Sequence, residues 1–213
     1  MLINFVGSPA SGKTTTAAML FAKMKEYGFP AEFISEEARR HIAMLKFHRK
    51  LFQEKPTLND IDQIIIMENQ VDIERMMIEG TSPDTIVISD GSPLNALLYM
   101  SSEFRREDVR VQYQLALTRE LMHKSLTFVC EPLKSHRDVK DSNRIHDLEQ
   151  ILKIDEQLIS VMNEAEVGPL GPPGEHSGSR WIWLGGDPQQ RLVTALCSVY
   201  YQMRDPDGRT QDS

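Results

Sequence analysis

"FVGSPASGKTT", residues 5–15, follows an apolar run and contains the spacing Gly7-x-x-x-x-Gly12-Lys13-Thr14. Small and flexible residues at this spacing let backbone N–H groups turn toward phosphate oxygens. A lysine and a hydroxyl then stand at the start of the next helix. The pattern is short enough to arise by chance, but here an apolar strand, "LINFV" (2–6), precedes it and a helix, "KTTTAAMLFAKMKEYG", follows. In that context Gly7, Ser8, Pro9, Ala10, Ser11, Gly12, Lys13, Thr14 and Thr15 are expected to hold a nucleoside triphosphate. Lys13 would neutralise the β- and γ-phosphates and the Thr14 hydroxyl would ligate Mg²⁺.

Beyond this loop, apolar strands alternate with helices. "AEFIS" (31–35), "TIVIS" (85–89), "LTFVC" (126–130) and "RWIWLGG" (180–186) read as further strands. Helices are expected from about Glu36 to Gln53, from a capping box at Thr57–Asp60 through Ile78, over "PLNALLYM" and "EDVRVQYQLALTRELMHK", over "DLEQILKIDEQLISVMNEA", and from Pro188, capped by Asp187, to about Met203. This alternation predicts an α/β fold: the P-loop NTPase architecture, a five-stranded parallel sheet flanked by helices, with a basic lid. One domain is expected over residues 1–204, with the lid at about 132–146, a Gly/Pro-rich loop at 167–179 and a disordered tail at 205–213.

Ligands of such sheets bind beyond the C-terminal strand ends. Gly7, Glu36, Glu37, Asp90 and Glu131 all fall there. Asp90, ending "IVISD", is placed to serve Mg²⁺, or else to cap the turn in "DGSPLN". One of Glu36 and Glu37 could hold an acceptor hydroxyl or take its proton; both could equally serve the positive end of the next helix. In "KSHRDVKDSNR", Arg137 and Arg144 are better phosphate partners than Lys134 and Lys140, because guanidinium meets phosphate oxygens bidentately. His136 and His146 lack partners at metal-ligand spacing.

Hydrophobic residues make up 40% and charged residues 26% of the 213, ordinary values for a globular domain. "MLINFVG" has no basic leader, no apolar run is long enough to span a bilayer, and Cys130 and Cys197 read as buried reduced thiols, so a cytoplasmic location is expected. A net charge of −7 argues against indiscriminate nucleic-acid coating. Locally, "RRHIAMLKFHRK" (39–50) holds five Lys or Arg, two His and no acid. On a helix, Arg39, Arg40, Lys46, Arg49 and Lys50 form either a solvated face or a surface for a nucleic-acid strand, with Phe47 and Phe52 as core residues or as stacking platforms.

Taken together, "GSPASGKTT", "SEEAR", "VISDGSPL" and the basic loop resemble the thymidylate-kinase-like branch of P-loop kinases over roughly residues 1–200. The resemblance implies ATP on the P-loop, Mg²⁺ at Thr14 and Asp90, an acceptor near Glu36 or Glu37, a closing lid with Arg137 and Arg144, and a nucleotide base beside "LGGDPQQR". Where thymidylate kinases carry Asp-Arg-Tyr or Asp-Arg-Phe, this chain has "DGSP", without the arginine. The chain is also similar to small phage P-loop kinases that phosphorylate 5-hydroxymethyluracil in DNA, which implies a host-cytoplasmic enzyme of thymine hypermodification. Three functions follow as expectations: that DNA-base kinase, a kinase of a free nucleoside or nucleoside monophosphate, or a P-loop NTPase that drives a partner. The last lacks the Asn-Lys-x-Asp motif of GTP readers.

Overall fold

A computed structural model describes residues 1–52, 58–123, 125–132, 153–154, 156–158, 160–162 and 180–204, with backbone alone at 49–52, 123 and 180. Five strands, β1 (Leu2–Val6), β2 (Ala31–Ile34), β3 (Ile86–Ser89), β4 (Ser125–Cys130) and β5 (Arg180–Leu184), form one sheet in the order β2-β3-β1-β4-β5. Every pair is parallel; Leu2 of β1 lies opposite Val87 on one side and Ser125 on the other. Strands of such sheets are covered on both faces, which is why β1, β3 and β4 are buried at every position and read as unbroken apolar runs.

The crossovers are α1 (Lys13–Glu26), α2 (Glu37–Phe52), α3 (Asp60–Gly80), α4 (Leu94–Leu97), α5 (Ser102–Glu107) and α6 (Val109–His123), and α7 (Pro188–Arg204) closes the fold. One sheet face packs Ile3, Phe5, Ile88 and Phe128 against Leu20 and Met24 of α1 and Leu192, Ala195 and Val199 of α7. The other packs Val6 and Val129 against Ile64 and Met67 of α3, Leu97 of α4, Val111 and Leu115 of α6, and the helical residues Ile154, Leu158 and Val161. Among the described residues no helix is long and apolar enough to cross a membrane.

The five expected strands are present, within about two residues of their expected bounds. Other details differ. The capping box of α3 sits at Asn59 and Asp62, two residues beyond Thr57: Asp62 N–H donates to the Asn59 side chain at 3.0 Å, and Asn59 N–H to the Asp62 carboxylate at 3.0 Å. Cys130 is buried, but Cys197 is exposed; both are free thiols. Two positions beyond Ala195, about 200° around α7, Cys197 faces away from the sheet. Phe47 is likewise no core residue: it is 65% exposed. The lid, the Gly/Pro-rich loop, the tail and Phe52's side chain lie outside the described residues.

Candidate active site

β1 delivers the chain to the loop at the sheet's centre. Gly7 adopts φ +153°, and a Cβ there would stand 2.6 Å from the Cys130 carbonyl oxygen and 2.9 Å from Ser11 Oγ, so β4 presses too closely for any side chain. Gly12, at φ +83°, turns the loop into α1. That helix begins with no side-chain cap and no acid in its first turn, so its first amides and positive end face the loop unneutralised. The Ser8 and Ser11 hydroxyls are buried with no hydrogen-bond partner. Lys13 is only 8% exposed and spans the loop, its Nζ donating to the Gly7 carbonyl at 2.7 Å and the Ser8 carbonyl at 2.8 Å. An ammonium has three donors, so one remains to meet an anion. Orphaned hydroxyls, an uncapped helix start and a clamped lysine fit a polyphosphate. Pro9 and Ala10 are half-buried in the loop and Thr15 is exposed.

Asp90 follows β3, its amide donating to the Ile34 carbonyl at 2.8 Å. Its carboxyl is 2% exposed, bonds the Thr14 hydroxyl and keeps Oδ1 without a partner. Burial pushes its pKa up; the Thr14 hydrogen bond and the charges of Lys13 and Arg39 oppose that, while Glu36 adds to it. A divalent cation beside Thr14 would relieve the cost of burying this carboxylate. The residues thus fit Mg²⁺, which takes few protein ligands and completes its shell with phosphate oxygens and water. Among the described residues no group of three or more His, Cys, Asp and Glu forms a metal cage of its own.

The two neighbouring glutamates diverge. Glu37 is 5% exposed and engaged: Arg40 donates to both its oxygens at 2.7–3.0 Å, Asn69 adds a bond at 3.3 Å, and the Glu37 amide donates to Gln70 Oε1 at 3.1 Å. Glu36 instead lines a narrow cleft of about 20 Å³ between α3 and the start of α4, with room for a water molecule in this conformation. Gln63, Gln70 and Asn95 supply amides to this cleft, and Met67, Pro93 and Tyr99 supply apolar surface. Among the described residues Glu36 is its one charged lining residue.

Arg39, which the sequence suggests for an outer basic face, points into the site. It donates from Nη2 to Thr14 Oγ1 at 3.1 Å and from Nε to Glu36 Oε2 at 3.2 Å, joining the Thr14 hydroxyl to the cleft carboxylate. The signal was available: Glu36 immediately precedes α2, and an arginine three positions on, in the first turn, can reach back to it. Asn95 was passed over too; its Oδ1 accepts from the Gly7 amide at 3.5 Å, tying cleft to loop. A third residue missed is Arg191 of α7, whose signal is a cation in register with the core residues Ala195 and Val199.

Elsewhere on α2, Arg40 serves Glu37, buried His41 meets Asp62 at 3.2 Å, Lys46 is half-buried, and Met44 and Phe47 are exposed. The side chains of Arg49 and Lys50 lie outside the described residues, as do Arg137 and Arg144.

A similar fold occurs in thymidylate kinase from Candida albicans, at TM-score 0.60 and 14% identity over 96% of this chain and 92% of that one. It also occurs in a NadR protein solved with NAD and AMP-PNP, at TM-score 0.58 and 18% identity over all of this chain and 51% of that one. The chain thus spans about half the length of the NadR protein. No curated protein matches the chain in sequence. The family model described as an AAA domain matches residues 2–170, and with so much of its length covered the chain belongs to that family, on a P-loop fold shared with thymidylate kinase.

Proposed function

We propose that this protein is an ATP-dependent kinase that transfers the γ-phosphate to a hydroxyl of a pyrimidine acceptor, of which the 5-hydroxymethyl group of 5-hydroxymethyluracil in DNA is the reading we favour. The observation that carries the kinase reading is the position of Glu36, which lines a cleft of amides and apolar side chains and is joined through Arg39 to Thr14, beside Asp90. A hydrolase needs only water at the γ-phosphate; amides and apolar surface set around a carboxylate suit a larger acceptor.

In this mechanism the P-loop amides and Lys13 hold the β- and γ-phosphates of ATP, and Thr14 and Asp90 would hold Mg²⁺. The ion, when bound, neutralises charge on the phosphate oxygens. Glu36 holds the acceptor hydroxyl in line. It takes the hydroxyl proton as the oxygen bonds to the γ-phosphorus and the bond to the β,γ-bridging oxygen breaks, which releases ADP. Arg39 steadies Glu36 and adds positive charge beside the transferring group. Arg137 and Arg144, of the lid that the resemblance implies, would add positive charge to the same group.

Two observations favour a strand of DNA over a nucleoside monophosphate. Among the cleft's described lining residues there is no cation to hold an acceptor phosphate. Phe47 also offers an exposed ring on the helix that follows Glu36, as a base-stacking platform would. A kinase of free nucleosides is the second reading, supported by the uncharged amides of the cleft. The test is transfer of radiolabelled γ-phosphate, in parallel, to 5-hydroxymethyluracil-containing DNA and to free pyrimidine nucleosides and monophosphates. Label in DNA alone supports the favoured reading, and label in a monomer the second. ATP consumption with label in neither would overturn the kinase reading.

A further inference from the structure

Arg191 is 1% exposed, and its guanidinium donates to three backbone carbonyls. Nε donates to Gly186 at 3.0 Å, Nη2 to Glu131 at 2.7 Å, and Nη1 to Ser11 within the P-loop. These carbonyls belong to the turn after β5, the end of β4 and the phosphate loop, three segments that this one side chain ties together. The Cys130 thiol lies beside it. Burying a cation among carbonyls is costly, and an apolar side chain would fill the same place among Leu192, Ala195 and Val199 more cheaply. Such a group calls for a reason beyond packing.

We propose that Arg191 is a positioning residue of the nucleotide site, which aims the backbone of the P-loop at the phosphates. In a planar trans peptide the C=O and the following N–H point in opposite directions, and no peptide here is cis. Drawing the Ser11 carbonyl back toward α7 therefore turns the Gly12 N–H forward, into the loop's concave side. Lys13 fixes the opposite end of the loop through Gly7 and Ser8, so the loop is clamped at both ends by cations. Ala10 between them sits at φ +61°, a conformation that an unanchored loop with a side chain at that position would relax. Arg191 also places a buried positive charge directly behind the site, where solvent does not screen it.

This inference rests on the reading that the loop takes a nucleoside triphosphate, and the test separates the two. Mg-ATP binding is measured by calorimetry for the wild type, Arg191→Lys and Arg191→Met, with melting temperatures taken without nucleotide. Lysine keeps the charge but cannot reach three carbonyls in a planar fork. The expected result for Arg191→Lys is a Kd for Mg-ATP raised on the order of 10- to 100-fold, as misplacement of a binding group by about 1 Å produces, with a melting temperature close to wild type. Faster hydrogen exchange at the amides of residues 10–12 should accompany it, which a distant packing defect would not cause. A lysine variant that binds Mg-ATP within about twofold of wild type overturns the role of Arg191 alone. A wild type that does not bind Mg-ATP overturns both readings. If lysine and methionine variants alike fail to fold, Arg191 is an element of the fold and not of the site, and the proposal falls.

Discussion

A carboxylate can act on a substrate hydroxyl only if its lone pairs face the substrate and are not already saturated. Glu37 accepts from both donors of Arg40 and from Asn69, whereas Glu36 shares one oxygen with Arg39 and lines the cleft. Glu36→Gln is accordingly expected to lower kcat by about 10²- to 10⁴-fold, the range for loss of a positioned acid or base, while Mg-ATP affinity stays near wild type. Steady-state kinetics with the accepted substrate, together with ATP titration, check this; equal damage from Glu37→Gln alone would reverse the assignment. From sequence Glu37 was marginally the preferred of the two, but one step along the chain at a helix start turns a side chain by about 100° and nothing in "SEEAR" says which step faces inward. Arg39 was misplaced for the same reason. The loop residues were legible because their spacing encodes backbone geometry, which does not depend on distant partners.

At the scale of elements, helix starts carry local and measurable energy. Asn59 and Asp62 satisfy two amides at the start of α3, so Asn59→Ala should destabilise the protein by about 1 kcal/mol in thermal or urea unfolding, with nucleotide binding unchanged. α2 poses a different question, since its outer side presents Phe47 with His48 in edge contact at 5.6 Å. If that side meets a DNA strand, Phe47→Ala should weaken single-stranded DNA binding by about 1–3 kcal/mol in a fluorescence anisotropy titration. Indifference of DNA binding to this change would return α2 to a solvated helix. Strands were legible from continuous apolar runs, and the final helix from Asp187-Pro188, whose carboxylate accepts from the amides of Gln189 and Gln190 at 2.9 Å. The cap of α3 was not, because "TLND" offers three residues able to cap and only packing selects Asn59.

For the molecule as a whole, a buried acid links stability to pH. Glu74 on α3 is fully buried, bonded by Gln70 and Ser89 at 2.8 Å, and burial raises its pKa from 4.5 to about 7 against the pull of those two bonds. A carboxyl whose pKa is raised in the folded state contributes stability that is complete below pH ~4.5 and lost as pH rises through about 7. The loss is on the order of 3 kcal/mol, because a tenfold change in a protonation equilibrium corresponds to about 1.4 kcal/mol. Glu74→Gln keeps the acceptor oxygen without the titration, so the wild type should lose stability relative to this variant between about pH 5 and 8. Urea unfolding of both proteins at each end of that window decides it; a stability difference that does not change with pH would show that Glu74 does not titrate there. The buried amide of Gln70 spreads any such change, for it joins Glu74 and Ser89 to the first turn of α2.

Placing β1 at the centre of the sheet has a consequence for synthesis. The strand that leads into the phosphate loop leaves the ribosome before its partners, Val87 to Ser89 and Ser125 to Val129. At about 5–20 residues per second, an apolar segment stays unpaired for several seconds and more before β4 exists to cover it. β2, the second strand made, waits as well, since its neighbour β3 begins only at Ile86. No stable sheet can form from the first third of the chain, and long-range parallel pairing of this kind is intrinsically slow. The nascent protein is therefore most exposed to aggregation and to chaperone capture through the short strand that leads into the phosphate loop.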